Sequence, residues 1–299
     1  DYEAHALWLR GYKREQAIVV ADKDEVSYLV KKGIDRNKIK AIGIPINPVT
    51  STNFNIEKAT KKYGFTGERP ICLFFGGGGN GGTLSLPYIK GIIKSNLKID
   101  FIYVAGKNQK AKAKVDKWIA RYGVKNVKTL GFVNNVPELL QICDFVVSKP
   151  GGAQSTESLY FKKPIIMINH SGGQEVGNFK YFERNGYGKR FRTQFMFNLF
   201  MKRISDNPSI IDQMRKNMSK NKNNCCKKTS IGGQALMEGI MMRGPVTTAM
   251  AVRNTSGEIV IEKFPTETKE RSKFLKLPIV RGVFAYIDSM VQGSKCLMR

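Results

Sequence analysis

Histidine is almost missing from this chain: His5 and His170 are the only two in 299 residues. So few imidazoles exclude a histidine-rich metal centre, and no metal site is expected. The five cysteines, Cys72, Cys143, Cys225, Cys226 and Cys296, form no CxxC pair and no metal-ligand spacing. Cys72 and Cys143 fall inside apolar patterns and read as buried thiols. Cys225 and Cys226 are adjacent within a lysine-rich run, so no disulfide framework is expected and a reducing compartment fits best. No stretch approaches the roughly 18 apolar residues that span a bilayer. The chain opens DYEAHALWLR, without a charged-then-apolar leader, and reads there like the middle of a protein. Acids are scarce as well: 24 Asp and Glu stand against 50 Lys and Arg, a formal charge of +26. Up to residue 222 there are 38 basic and 18 acidic residues, and beyond it 12 and 6, so the excess is not a basic tail. Such a field favours nucleic acid, phosphorylated ligands or an anionic membrane face. A solvated, lysine-rich surface is the plain alternative.

What is present is the patterning of a globular protein with more than one domain. Apolar content of 41% and charged content of 25% are ordinary. From 71 to 169 short apolar strands alternate with amphipathic helices: ICLFF, then a helix near 84–94; KIDFIYVAG, then a helix near 108–122 with Trp118 on its apolar side; VKTLGFV, then PELLQIC; DFVVS, then a short helix; and PIIMIN, which closes the series. This predicts βαβ units and a Rossmann-like parallel sheet covered on both faces, of α/β class. Helices near 175–185, 195–205 and 208–220 complete the module. Ahead of it, AIVVAD, a helix through 22–32 and IKAIGIPI form a further strand–helix–strand piece, joined by INPVTSTNFN.

Two glycine runs follow strands of that sheet. The first, FFGGGGNGGT (74–83), contains Gly77, Gly78, Gly79, Asn80, Gly81 and Gly82. At the carboxyl ends of parallel strands such runs let backbone N–H groups approach a phosphate. Gly77, Gly79 and Gly82 also spell GxGxxG, but a dinucleotide site needs an acid at the end of the second strand. Asp100 lies at that strand's other end, and the useful end offers Gly106, Lys107 and Asn108. The second run is KPGGAQSTES (149–158). Gly151 and Gly152 supply a tight turn, while Ser155 and Thr156 can bond phosphate or cap the helix. Glu157, acceptor-only when ionised, suits a ribose diol; its plainer role is to complement the helix dipole.

GGGNGG (77–82), GFVNNVPELLQICDFVVSKPGG (131–152), STESL (155–159) and GGQEVGN (172–178) carry a resemblance. Over residues 1–220 the chain is similar to the C-terminal part of GT-B glycosyltransferases, in the diacylglycerol glucosyltransferase and monogalactosyldiacylglycerol synthase group. The muramyl-pathway GlcNAc-transferases are more distant relatives. The resemblance implies a UDP-hexose donor, a lipid acceptor such as diacylglycerol, inverting and metal-independent transfer, no cofactor, and a cytoplasmic enzyme peripheral to the membrane. It implies that Gly77 to Gly82 face the diphosphate and that Phe132 holds uracil through its backbone. Ser155 and Thr156 would meet phosphate, Glu157 the ribose, and Gln174, Glu175 and Asn178 the donor sugar. Lys149 and the helix dipole would offset leaving-group charge. Gln154, where the family has a small hydroxyl residue, and His170-Ser171 depart from its pattern.

On this reading residues 1–50 are the end of a truncated acceptor domain and 51–220 the donor-binding domain. The base belongs to the missing part; His5 is the one candidate in this chain. The polar run 219–230 reads as a linker. Beyond it TTAMAVRN and EIVIEKF alternate in period two around Asn254-Thr255-Ser256-Gly257, a hairpin. KLPIVRGVFAYIDSMVQGSK (276–295) has an apolar helical pattern suited to a membrane surface. Residues 229–299, through SIGGQALMEGIMMRGP, resemble the start of an uncharacterised multi-spanning membrane family, with Glu238 and Arg243 as notable polar residues. A small α+β module and a fusion of two partial families are therefore expected. A non-enzymatic binder of nucleic acid or membrane surface is the alternative, although the scattered lysines match no nucleic-acid module.

Overall fold

The computed structural model describes all residues except 1, 4–8, 10–11, 14–16, 45, 47–53, 78–83, 169–174, 221–231, 237–238, 245, 255 and 267–299. Chain contacts divide it into two compact units, Asp1–Lys227 and Lys228–Arg299.

The first unit opens with β1 (Ile18–Val20), α1 (Lys23–Lys31) and β2 (Ile39–Ala41), whose strands pair in parallel. Asp22 starts α1 by accepting the Asp24 N–H at 2.9 Å. Next come α2 (Ile56–Lys62), β3 (Ile71–Phe75), α3 (Leu86–Ser95), β4 (Asp100–Val104), α4 (Gln109–Tyr122), β5 (Val127–Leu130), α5 (Val136–Ile142) and β6 (Phe145–Ser148). The series ends with α6 (Gly152–Tyr160), β7 (Ile165–Ile168), α7 (Glu175–Arg184), β8 (Gly188–Phe191), α8 (Gln194–Asp206) and α9 (Ser209–Lys220). Strands β3 to β8 form one parallel sheet in the order β5-β4-β3-β6-β7-β8.

Both faces of this sheet are buried, and strand alternation divides its side chains between two cores. Cys72, Phe74, Phe101, Tyr103, Phe145, Val147, Ile166 and Ile168 pack on one face with α3, α4 and α8. Ile71, Leu73, Ile102, Val104, Val146, Ile165 and Met167 pack on the other with α5, α6 and α7. That is why these strands read as unbroken apolar runs rather than alternating ones. Trp118 is half-buried against the first face, with the Lys90 ammonium 5.2 Å from its ring centroid.

Two elements depart from expectation. PIIMIN does not close the sheet: β8 adds a sixth strand, pairing Gly188 to Phe191 with Ile165 to Ile168. GKRF is short and doubly charged, so its strand character comes from pairing and not from propensity. A Cβ on Gly188 would lie 2.1 Å from the Ile165 carbonyl oxygen, so only glycine allows this approach. Helix α2 stands just past the expected connecting stretch, capped by Asn55, which accepts the Lys58 N–H at 2.8 Å.

In the second unit β9 (Gly232–Leu236), β10 (Gly239–Arg243), β11 (Thr247–Arg253) and β12 (Ile259–Pro265) form an antiparallel sheet in the order β12-β11-β10-β9. The expected hairpin is β11–β12. Asn254 closes its turn, its Oδ1 accepting the Glu258 N–H at 2.8 Å, while Gly257 takes a φ of 85°. Met241 and Met250, opposite one another across β10 and β11, are its buried apolar pair. Glu238 and the helical pattern of 276–295 lie outside the described residues. Among the described residues no helix is long and apolar enough to cross a membrane.

Candidate functional site

The strand order reverses between β3 and β6. From β3 the chain moves through β4 to β5 on one side; β6 then returns beside β3, and β7 and β8 continue on the other side. The two glycine runs follow these two neighbouring strands, so both emerge at the carboxyl edge at the switch point. In open parallel sheets that crevice is where ligands bind. The first run leaves β3 through Gly76, whose N–H donates to the Val104 carbonyl at 2.9 Å. A Cβ there would lie 2.5 Å from the Tyr103 hydroxyl, so the loop root rests directly on a buried tyrosine. Burial alone raises the Tyr103 pKa, its contact with Ser85 pulling the other way, and the phenol stays neutral. Gly77 follows in the left-handed region, φ 94°. Gly78, Gly79, Asn80, Gly81 and Gly82 lie outside the described residues.

The end of β4 carries no carboxylate. Ala105, Gly106, Lys107 and Asn108 stand there, and Asn108 is used as the α4 cap, accepting the Ala111 N–H at 2.9 Å. Asp100, the first residue of β4, is buried at the opposite edge. The ribose acid of a dinucleotide site is therefore lacking at this position. Phe132, just past β5, is 62% exposed, with Lys107 5.7 Å from its ring centroid. An aromatic face and a cation thus stand together beyond β4 and β5.

The second run gives α6 an open amino terminus. Gly151 is the cap residue and no side chain caps the helix. A Cβ on Gly151 would meet nothing within 4 Å among the described residues. The Ser155 hydroxyl is fully buried and has no hydrogen-bond partner among the described residues. Such a group costs roughly 1–3 kcal/mol, so its retention calls for an explanation. Glu157 is the sixth residue of α6, too far along to complement the helix dipole. It is half-buried, and no hydrogen bond or ion pair reaches its carboxylate among the described residues. Desolvation raises its pKa, with no partner opposing.

Thr156 and Asn178 are tied into the packing beneath the loop. Thr156 donates to the Gly152 carbonyl at 2.7 Å and accepts from the Tyr2 hydroxyl at 3.0 Å. Asn178 is fully buried; its Nδ2 donates to the Pro150 carbonyl at 2.8 Å, and its Oδ1 accepts the Tyr2 N–H at 2.8 Å. Tyr2 itself stacks on Tyr181, ring centroids 4.4 Å apart, and Tyr181 donates to Asp22 at 2.9 Å. These contacts fasten the KPGG turn from beneath. Glu175, the first residue of α7, is ion-paired with Lys149 at 2.7 Å, linking the ends of β6 and β7. The cation expected to face a leaving group and the acid expected to face a sugar are thus bonded to each other. His5 and Gln174 lie outside the described residues. Sequence reasoning missed Tyr2, whose role depends on contacts across 154 and 176 residues of chain.

Residues 90–224 match the family profile for glycosyl transferases group 1. The processive diacylglycerol beta-glucosyltransferase of Staphylococcus epidermidis is 28% identical over 191 residues, 63% of this chain and 47% of that protein. Its Bacillus subtilis counterpart is 28% identical over 189 residues, 62% of this chain and 48% of that protein. The chain thus spans about half the length of the curated relatives it matches. The S. aureus MnaA–UDP co-structure aligns with a TM-score of 0.51 at 14% identity, covering 72% of this chain and 58% of that one. At that identity the likeness is one of fold, and the fold is GT-B-like.

Proposed function

We propose that this chain binds a UDP-hexose in the crevice between β3 and β6, and that the whole protein transfers the hexose to a membrane lipid such as diacylglycerol. One observation carries the reading: the two glycine runs leave the neighbouring strands β3 and β6 at the switch point, the second into a helix terminus without a side-chain cap, and the Glu157 carboxylate on that same helix has no partner among the described residues. The α6 terminus and the N–H groups of Gly77 to Gly82 hold the diphosphate, and the Ser155 hydroxyl finds its missing partner there. Glu157 accepts from the ribose hydroxyls, which offsets the desolvation of its charge. Phe132, beside Lys107, lies toward the uracil. Gln174 and Glu175 meet the donor sugar, with Glu175 oriented by Lys149. Asn178 and Thr156 serve as supports of the turn.

Charge on the departing UDP is met by main-chain amides and a helix dipole, so the transfer is read as metal-independent. The relatives are named beta-glucosyltransferases; a beta product from an alpha-linked UDP-hexose requires inversion at the anomeric carbon. The test is calorimetric titration of the chain with UDP, uridine and ADP, then of Glu157→Ala with UDP. UDP should bind more tightly than uridine or ADP. Two hydrogen bonds to a charged acceptor are worth about 1.5–3 kcal/mol each, so Glu157→Ala should weaken UDP binding by roughly 150-fold or more. A folded chain that ignores UDP would refute the reading.

A further inference from the structure

Helix α8 has two contrasting faces. Phe197, Phe200, Met201 and Ile204 are buried against the sheet. The outward face carries Phe195, Met196 and Leu199, exposed by 70%, 53% and 45%. Exposed Lys202 and Arg203 follow on the same face one turn later, and exposed Arg192 precedes the cap residue Thr193. Asp206, at the far end, is the single acid on that face. Along one flank runs an open groove of about 440 Å³ between α8 and the end of α3, lined by Phe195, Leu199, Lys202, Lys98 and Asn198. The Asn198 Oδ1 atom is buried there without a hydrogen-bond partner among the described residues.

Nothing in the fold requires apolar residues at 195, 196 and 199. The buried face alone anchors α8, and Thr193 caps it by accepting the Met196 N–H. Single exposed apolar residues are ordinary, but a contiguous Phe-Met-Leu patch ringed by cations is not. This is the pattern of a helix that lies in a bilayer interface, apolar face down, with cations at the phosphate level. The charge sign selects among surfaces. Arg192, Lys202, Arg203 and Lys98 outnumber Asp206, on a chain of net charge +26. A nucleic acid would satisfy the cations but leave Met196 and Leu199 without a stacking partner.

We propose that the outward face of α8 docks on an anionic lipid bilayer, Phe195, Met196 and Leu199 entering the headgroup boundary while Arg192, Lys202 and Arg203 meet lipid phosphates. This deepens the reading above by naming the surface that brings the donor domain to its lipid acceptor, and it rests on that reading only for the acceptor.

The test is co-sedimentation of the full chain with phosphatidylcholine vesicles, with and without phosphatidylglycerol. Wild type should partition onto the anionic vesicles and much less onto the neutral ones. Each cation near such a surface is worth about 1 kcal/mol, so Lys202→Gln/Arg203→Gln should lower the partition coefficient about 30-fold. The Phe195→Ser/Met196→Ser/Leu199→Ser variant should lower it at least about tenfold. UDP titration of the same variants should match wild type, which keeps the two readings separate. Equal sedimentation of the variants and wild type would overturn the proposal by placing membrane contact elsewhere in the chain. Equal binding to neutral vesicles, no binding at all, or self-association abolished by the triple variant would also overturn it.

Discussion

Replacing Asn178 by alanine removes two hydrogen bonds in one step. The Tyr2 N–H loses its 2.8 Å acceptor and the Pro150 carbonyl its 2.8 Å donor, at a site closed to solvent. A buried polar group left unsatisfied costs about 1–3 kcal/mol, so the two together should cost about 2–6 kcal/mol. That is a large part of the roughly 5–15 kcal/mol that holds a domain folded. The companion Tyr2→Phe removes the donation to Thr156, which keeps its bond to Gly152, and should cost about 0.5–1.5 kcal/mol. Both tryptophans, Trp8 and Trp118, belong to the unit Asp1–Lys227, so fluorescence during urea unfolding reports on that unit alone. UDP titration of the folded variants gives the second readout, since a loosened KPGG turn should bind the diphosphate less tightly. If Asn178→Ala costs under about 1 kcal/mol, the strut does not hold the loop. If stability falls but UDP affinity does not, the turn keeps its shape without the strut.

Three further outcomes are expected. Burial holds the Glu157 pKa above its ordinary value, so the stability contribution of the protonated group is full at low pH and is lost as pH rises through the raised pKa. Glu157→Gln should therefore unfold at a higher temperature than wild type near neutral pH, while binding UDP more weakly; the thermal gap should close below about pH 4, and a gap independent of pH would contradict this. Gly188→Ala drives a Cβ into the Ile165 carbonyl and should cost about 1–3 kcal/mol or more in urea unfolding; an unchanged midpoint would mean β8 is not seated as described. Burial pushes the Cys143 thiol up to about 12, so its peptide should stay unalkylated by iodoacetamide in native buffer and label only on unfolding, as mass spectrometry would show.

The unbroken runs ICLFF, FIYV and DFVVS were enough to announce a parallel sheet buried on both faces, because only such a sheet needs apolar residues at every position. Helix ends were readable where a cap residue stood at the boundary, as at Asn108 and Asp22. The glycine runs after two strands were equally plain, because backbone that must approach a ligand tolerates little else. GKRF was not legible as a strand: two of its four residues are charged, and only the neighbouring Ile165–Ile168 makes it one. Strands β9 and β10 were overlooked for a related reason, since their glycine and methionine content carries no alternation.

The sequence by itself determined the α/β class, the two glycine loops and the carboxylate beside them, since local pattern and residue type suffice for these. Only tertiary structure decided that the two glycine runs leave neighbouring strands, because strand order depends on which surfaces pack and leaves no trace in spacing. It also decided which polar residues remain available: Thr156 and Asn178 are held beneath the turn by Tyr2, and Lys149 is bonded to Glu175, while Ser155 and Glu157 have no partners among the described residues. Hydrogen-bond partners so distant along the chain are chosen by packing, which brings them within 3 Å, and no local pattern encodes that choice.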